Sequence, residues 1–217
     1  MSRISARARR IAGLLVLLGL FLVPVSVFAH PVILITFRME FRFNSRGLEG
    51  FWETWQFDAP HSAQILQMFS LRPEPNGEIS PSQLPTLKRG FFDDLKDYNY
   101  FTSIVVDGKE RPAKTVSNFS ASYVEGHMIY HFFVPLELPA TGDQQELDVT
   151  IWDPTYYTDL APQGSDALTI EKPDSIEASI FAANDHRHFY NLAPGMVLVK
   201  APPFYLKMQV LRFQARR

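Results

Sequence analysis

Six histidines carry most of the chemistry open to this chain, because its 217 residues include no cysteine. Without a thiolate there is no thiol nucleophile and no redox pair, and any bound metal must be held by nitrogen and oxygen. His30 follows Val27-Phe28-Ala29, a site that a signal peptidase reads. Cleavage after Ala29 would leave His30 first, so that one residue carries both an α-amine and an imidazole. Such an amine titrates near ~7.7–8.0, and metal binding at neutral pH then costs little deprotonation. Pro31 has no N–H to surrender, and Val32 stands where the square-planar copper/nickel site of free N-termini needs a histidine. What remains is a two-nitrogen clamp completed by a distant imidazole.

The run Asp185-His186-Arg187-His188 supplies that imidazole. In extended chain, positions i and i+2 point to one face, so His186 and His188 form a pair, with Asp185 as third ligand or as acceptor behind a ring. Imidazole ligands suit zinc and nickel, with copper behind them here. His127 and His131 lie four apart in a predicted strand, where they fit either ligands or histidines bonded to backbone. His61, beside Pro60 at a helix start, reads as structural.

Two further strings stand out. Residues Arg72 to Gln83 have the outline of a calcium loop, with Gly77 sixth and Ile79 eighth. Arg72 replaces the leading Asp and Gln83 the closing Glu, so no calcium is expected. Trp152-Asp153-Pro154-Thr155-Tyr156-Tyr157 predicts an Asx-type turn after a strand. It would present Trp152, Asp153, Tyr156 and Tyr157 as a partner-binding edge, or else pack those rings into a corner. No Gly-x-Ser-x-Gly elbow, His-Glu-x-x-His helix or phosphate-cradling glycine loop is present, which disfavours an enzyme. Asp93-Asp94 point apart as helical neighbours and read as a solvated face.

The elements that must position these groups are mostly strands. The segment Ile33–Phe43 alternates apolar and polar side chains from Phe37 onward, and Asn44–Gly47 turns the chain into Leu48–Phe57, a returning strand that carries Trp52 and Trp55, forming a hairpin. Pro60 opens a short helix. A second helix is expected from the Ser80-Pro81 cap to about Tyr98. Strands follow at Phe101–Val106, Val116–Val124, Met128–Leu136 and Glu146–Trp152, with tight turns at Asp107-Gly108 and Glu125-Gly126. Residues Asp153–Asp174 read as loop, and Ser175–Phe181 and Phe204–Phe213 as final strands. The fold class is mainly β (α+β). It is an antiparallel β-sandwich with a helical pair inserted at about residues 60–98, joined by a degenerate EF-hand-like loop.

Residues 1–29 read as a cleaved signal peptide. Arg3, Arg7, Arg9 and Arg10 precede the uncharged stretch Ile11–Val23, and Pro24 breaks the helix. That stretch is shorter than the ~20 residues needed to span a bilayer, so no stable membrane insertion is expected after cleavage. Residues 30–217 form one domain. The chain holds 21 basic and 23 acidic residues. Losing the four leader arginines makes the exported part mildly acidic, which argues against nucleic acid as a partner.

Taken together, Ala29-His30-Pro31, Trp55-Gln56-Phe57-Asp58, Asn76-Gly77 with Ile79-Ser80, Tyr98-Asn99-Tyr100-Phe101-Thr102 and Asp153-Pro154-Thr155-Tyr156-Tyr157 resemble the exported proteins of domain-of-unknown-function family number 1007. The resemblance implies a periplasmic component of a nickel/cobalt/zinc-type transport system, working beside a membrane metal permease. That family usually begins His-Pro-His, where this chain has Val32, and carries an acidic loop where this chain has Arg72 and Gln83. The function expected is delivery of zinc or nickel to a permease. The alternatives are a histidine-brace copper oxidase, pairing His30 with His127 or His131, and a metal-free envelope interaction module.

Overall fold

A computed structural model describes residues 33–140, 145–155, 157–164, 166–183 and 205–211. Strand β1 (Ile33–Asn44) buries its odd-numbered side chains, and β2 (Gly47–Phe57) pairs with it antiparallel, Phe37 opposite Trp55. Helix α1 (Ala59–Met68) follows. Short helix α2 (Leu84–Leu87) then leads through a π-helical turn at Lys88–Phe92 into a 3-10 segment, Asp93–Phe101. Next come β3 (Thr102–Val106), β4 (Lys109–Glu110), β5 (Ser117–Val124), β6 (His127–Pro139) and β7 (Gln145–Ile151). The last strands are β8 (Thr158–Pro162), β9 (Leu168–Glu171), β10 (Glu177–Ala183) and β11 (Tyr205–Leu211).

These strands make two sheets. One runs β5-β6-β2-β1-β8, with β9 also on β1, and the other β10-β11-β7-β3-β4. The chain is mainly β, as the alternation predicts. Inward side chains of both sheets join one apolar core: Phe37, Phe41, Phe51, Trp55, Tyr130 and Phe132 from the first, Ile104, Leu147, Val149 and Ile151 from the second. Phe92 enters that core from the inserted helical segment. Its ring lies 4.3 Å from that of Phe119, 4.9 Å from Phe132 and 5.3 Å from Tyr100, centroid to centroid.

The structure departs from expectation in three places. The stretch Asp153–Asp174 contains two strands, β8 and β9, and both pair with β1 in parallel rather than antiparallel. Each is short and mixed in polarity, so local pattern does not reveal it. Contacts distant in sequence hold it: Arg38 Nε donates to Gln163 Oε1 (2.9 Å), and Arg42 pairs with Glu171. The helix expected to start at Pro81 begins at Leu84, with Pro85 in the first turn. Nor is it one regular helix: it passes through the π-helical turn at Lys88–Phe92 into the 3-10 segment, which already breaks at Tyr98 (φ −108°, ψ 18°). At Asn99, Tyr100 and Phe101 the backbone turns left-handed, with φ of 52°, 53° and 56°.

The Arg72–Gln83 loop is closed on itself by the Gln83 side chain. The Gln83 amide, oriented to satisfy both, spans the carbonyl and N–H of Arg72 at 3.0 and 3.2 Å. Ile79 N donates to Ala121 O and Tyr123 N to Gly77 O, so the loop lies along the β5 edge. The tight turns fall where the residue pairs predict them. Asp107-Gly108 and Glu125-Gly126 all have positive φ, as two-residue hairpin turns require.

Candidate functional site

The two sheets share an end rich in polar and aromatic side chains. There β7 finishes at Ile151, opposite Thr102 at the start of β3. Trp152 N donates to Phe101 O at 2.8 Å. The turn that follows is built by Asp153, which is buried. Its Oδ1 accepts from Thr155 N and Oγ1, both at 2.7 Å, and its Oδ2 from Thr158 N at 2.8 Å. Those bonds deliver the chain to β8, where Thr158 pairs with Ile33. Asp153 therefore shapes the turn, Trp152 is half-buried beside it, and Tyr157 is left 54% exposed. Tyr156 lies outside the described residues.

Two clefts open at this end. An apolar one of ≈ 230 Å³ is walled by Ile33, Phe57, Phe91, Leu95 and Tyr157. A more polar one of ≈ 290 Å³ is walled by Asp97, Asn99, Ser103, Glu110, Trp152 and Pro154. Tyr98 and Phe101 line both and divide them. The dividing wall thus includes the left-handed run Asn99–Phe101, a conformation that costs each non-glycine residue about 1 kcal/mol or more.

Beneath that wall sits Glu53, with none of its surface exposed. Its Oε2 accepts from Trp55 Nε1 (2.8 Å) and its Oε1 bonds Thr102 Oγ1 (2.8 Å), linking the two sheets. Burial drives its carboxyl up to about 7, against the opposing pull of those two donors. The pattern of the sequence holds a signal for it. Glu53 has the parity of Phe51, Trp55 and Phe57, so an acid falls where the strand faces the core.

The same end holds two anchored histidines. Asp58 caps α1, its Oδ1 accepting from His61 N at 2.9 Å, and both its oxygens bond His61 Nδ1, at 2.9 and 2.8 Å. Asp58 Oδ2 also accepts from Leu34 N at 3.0 Å. Burial pushes the Asp58 carboxyl up, but its hydrogen bonds from His61 and Leu34 outweigh this and hold it below the usual range. His127 Nδ1 bonds Phe57 O at 2.7 Å. Carboxylate and carbonyl oxygens only accept, so Nδ1 is the donor in each ring, the orientation that metal-ligating histidines coordinating through Nε2 share. His131 differs: its Nδ1 bonds Thr54 Oγ1 (2.8 Å) and its ring stacks on Trp52 at 4.4 Å. Burial pushes its imidazole down, with Glu40 opposing.

His30, Asp185, His186 and His188 lie outside the described residues. Among the described residues, no three His, Asp or Glu side chains gather as a metal site, and no helix is long and apolar enough to cross a membrane. The "Uncharacterized 15.5 kDa protein in trpE 3'region" of Spirochaeta aurantia is 33% identical over 105 residues, 48% of this chain and 74% of that protein. The family described as "Protein of unknown function (DUF1007)" matches residues 15–189, a span that takes in the first sheet, the dividing wall and the Trp152–Tyr157 turn. The chain belongs to the DUF1007 family.

Proposed function

We propose that this protein is an exported, periplasmic, non-enzymatic accessory component of a transition-metal transport system. It is built on a β-sandwich, holds zinc or nickel, and hands the ion to a membrane permease. His30, His186 and His188 are the ligands in this reading, with Asp185 completing or orienting them. The Trp152–Tyr157 turn is the edge that meets the permease. One observation supports it above the others. β1 begins at Ile33, three residues after His30, and β10 ends at Ala183, two residues before Asp185. Both strand ends belong to the end bearing the turn. Ile33 pairs with Thr158, and Ala183 pairs with Tyr205, next to Leu206 opposite Val149. The Arg72–Gln83 loop takes no calcium in this reading, since a guanidinium replaces its leading carboxylate.

Calorimetric titration of purified protein beginning at His30 with Zn(II), Ni(II) and Cu(II) tests the proposal. One of these ions should bind with Kd below about 10 μM. The triple variant His30→Ala, His186→Ala, His188→Ala should lose at least about tenfold in affinity, since each ligand lost removes a coordinate bond. No binding at that level, or an unaffected triple variant, refutes it. Copper-dependent peroxide formation with ascorbate would replace it with the histidine-brace reading, in which His127 Nε2 is the free imidazole. Chelator-insensitive capture of the permease through Tyr157 would replace it with the metal-free module.

A further inference from the structure

We propose that Glu53 and Thr102 form a proton-operated latch on the wall that divides the two clefts. A single hydrogen decides its state. Thr102 Oγ1 lies 2.8 Å from Glu53 Oε1 and 2.9 Å from Tyr100 O, yet a hydroxyl has one proton to give. When Glu53 is protonated, its Oε1–H donates to Thr102 Oγ1, and the threonine proton is free to hold the Tyr100 carbonyl. Each acceptor in this relay is then satisfied. When Glu53 is ionised, the carboxylate takes the threonine proton, and the Tyr100 carbonyl loses its hydroxyl donor.

That carbonyl belongs to the middle residue of the left-handed run, where a retaining bond matters most. Trp55 is bound to the same carboxyl through Nε1 and stacks on Phe101 at 5.9 Å, so the indole senses both sides of the latch. Among the described residues no charged side chain shifts Glu53 itself: burial acts on it, opposed by the Thr102 and Trp55 donors. Glu53 is flanked on its own strand by Phe51 and Trp55, faced across the ladder by Met39 of β1 and Phe132 of β6, and met from the other sheet by Thr102. The titratable groups near it are the phenols of Tyr100 and Tyr130, both pushed up by burial, Tyr100 further by Asp93. The carboxyl itself, raised to about 7, changes state within the range an exported protein meets. Acid closes the latch and mild alkali opens it. This holds whether or not the protein carries a metal.

The test is an NMR pH titration of the purified protein from about pH 5 to about pH 8.5, which brackets the raised carboxyl. The Glu53 side-chain carboxyl carbon should titrate near neutrality, and the backbone resonances of Asn99–Thr102 should shift with the same midpoint. Glu53→Gln keeps an N–H donor toward Thr102 and an acceptor for Trp55, so it should abolish the wall shifts and hold the acid-form positions at every pH. Thr102→Val should uncouple the two: Glu53 still titrates, at a higher midpoint for want of a donor, while Tyr100 no longer follows. Thr102→Ser, which keeps the hydroxyl and guards against a packing artefact, should restore the coupling. Wall resonances that stay still through the Glu53 midpoint overturn the latch. So does a wall that still responds in Glu53→Gln.

Discussion

Asp58 is the residue on which the start of the fold is most exposed to test. Its carboxylate caps α1 through His61 N, holds the His61 ring, and binds Leu34 N in the first residues of β1. Asp58→Ala removes all three at once. Loss of an N-cap costs about 1 kcal/mol. The Leu34 bond to a charged acceptor would be worth about 1.5–3 kcal/mol, but Leu34 is 51% exposed and water can replace part of it, so about 1 kcal/mol is the fitting share. The sum is about 2 kcal/mol at pH 7, roughly 4–8 °C in Tm for a domain of this size. Asp58→Asn retains an acceptor and is itself a good cap, so it should cost about half as much. The sign with pH follows from the lowered carboxyl. A group held below its ordinary value adds stability that is complete above about pH 4 and disappears as pH falls through its folded value. Urea denaturation of the three proteins at about pH 7 and about pH 3 measures the differences. A loss under about 0.5 kcal/mol for Asp58→Ala refutes the reasoning, given the magnitudes for a capped helix. An Asn variant as damaged as the Ala variant refutes it equally.

Other outcomes follow from the same geometry. Glu53 has its carboxyl raised from 4.5 to about 7, so the folded state binds the extra proton. Its contribution is whole below about pH 4.5 and is lost as pH rises to about 7, a fall of up to about 3 kcal/mol that Glu53→Gln should erase in denaturant melts across that window. Phe92→Ala opens a cavity among core rings, and should cost about 3–5 kcal/mol by the same measurement. Gly77→Ala would set a Cβ 2.8 Å from Tyr123 O at a φ of +86°, whereas Gly108→Ala, at +75°, meets nothing within 4 Å. The first should lower Tm measurably more than the second, which carries only the left-handed cost of about 1 kcal/mol.

Much of the framework is legible residue by residue. Alternation from Phe37 onward marks β1, because a half-buried strand imposes a period of two, and the Asn44–Gly47 turn marks β2 as its returning partner. Pro60 lies in the first turn of α1, as expected, since its missing N–H falls where a helix has no partner for it. The broken segment Leu84–Phe101 is different. Its composition suits a helix, but Phe92, Tyr100 and Phe101 each have a place in the core, and one regular helix cannot deliver all three. Strands β8 and β9 escaped for a related reason. Four or five residues of mixed polarity form a strand only when a neighbouring edge offers its backbone, and β1 does so from more than a hundred residues away.

Sequence by itself determined the β-rich class, the two hairpins, the inserted helical region, the family resemblance and the restriction of ligand chemistry to nitrogen and oxygen. These rest on local pattern and on residue types. Tertiary structure alone decided that His61 and His127 would each have Nδ1 tied, and that Glu53 would meet Thr102 under a strained wall. The reason is physical: a hydrogen bond between sheets, and the desolvation that moves a carboxyl to neutrality, depend on which distant segments exclude water together.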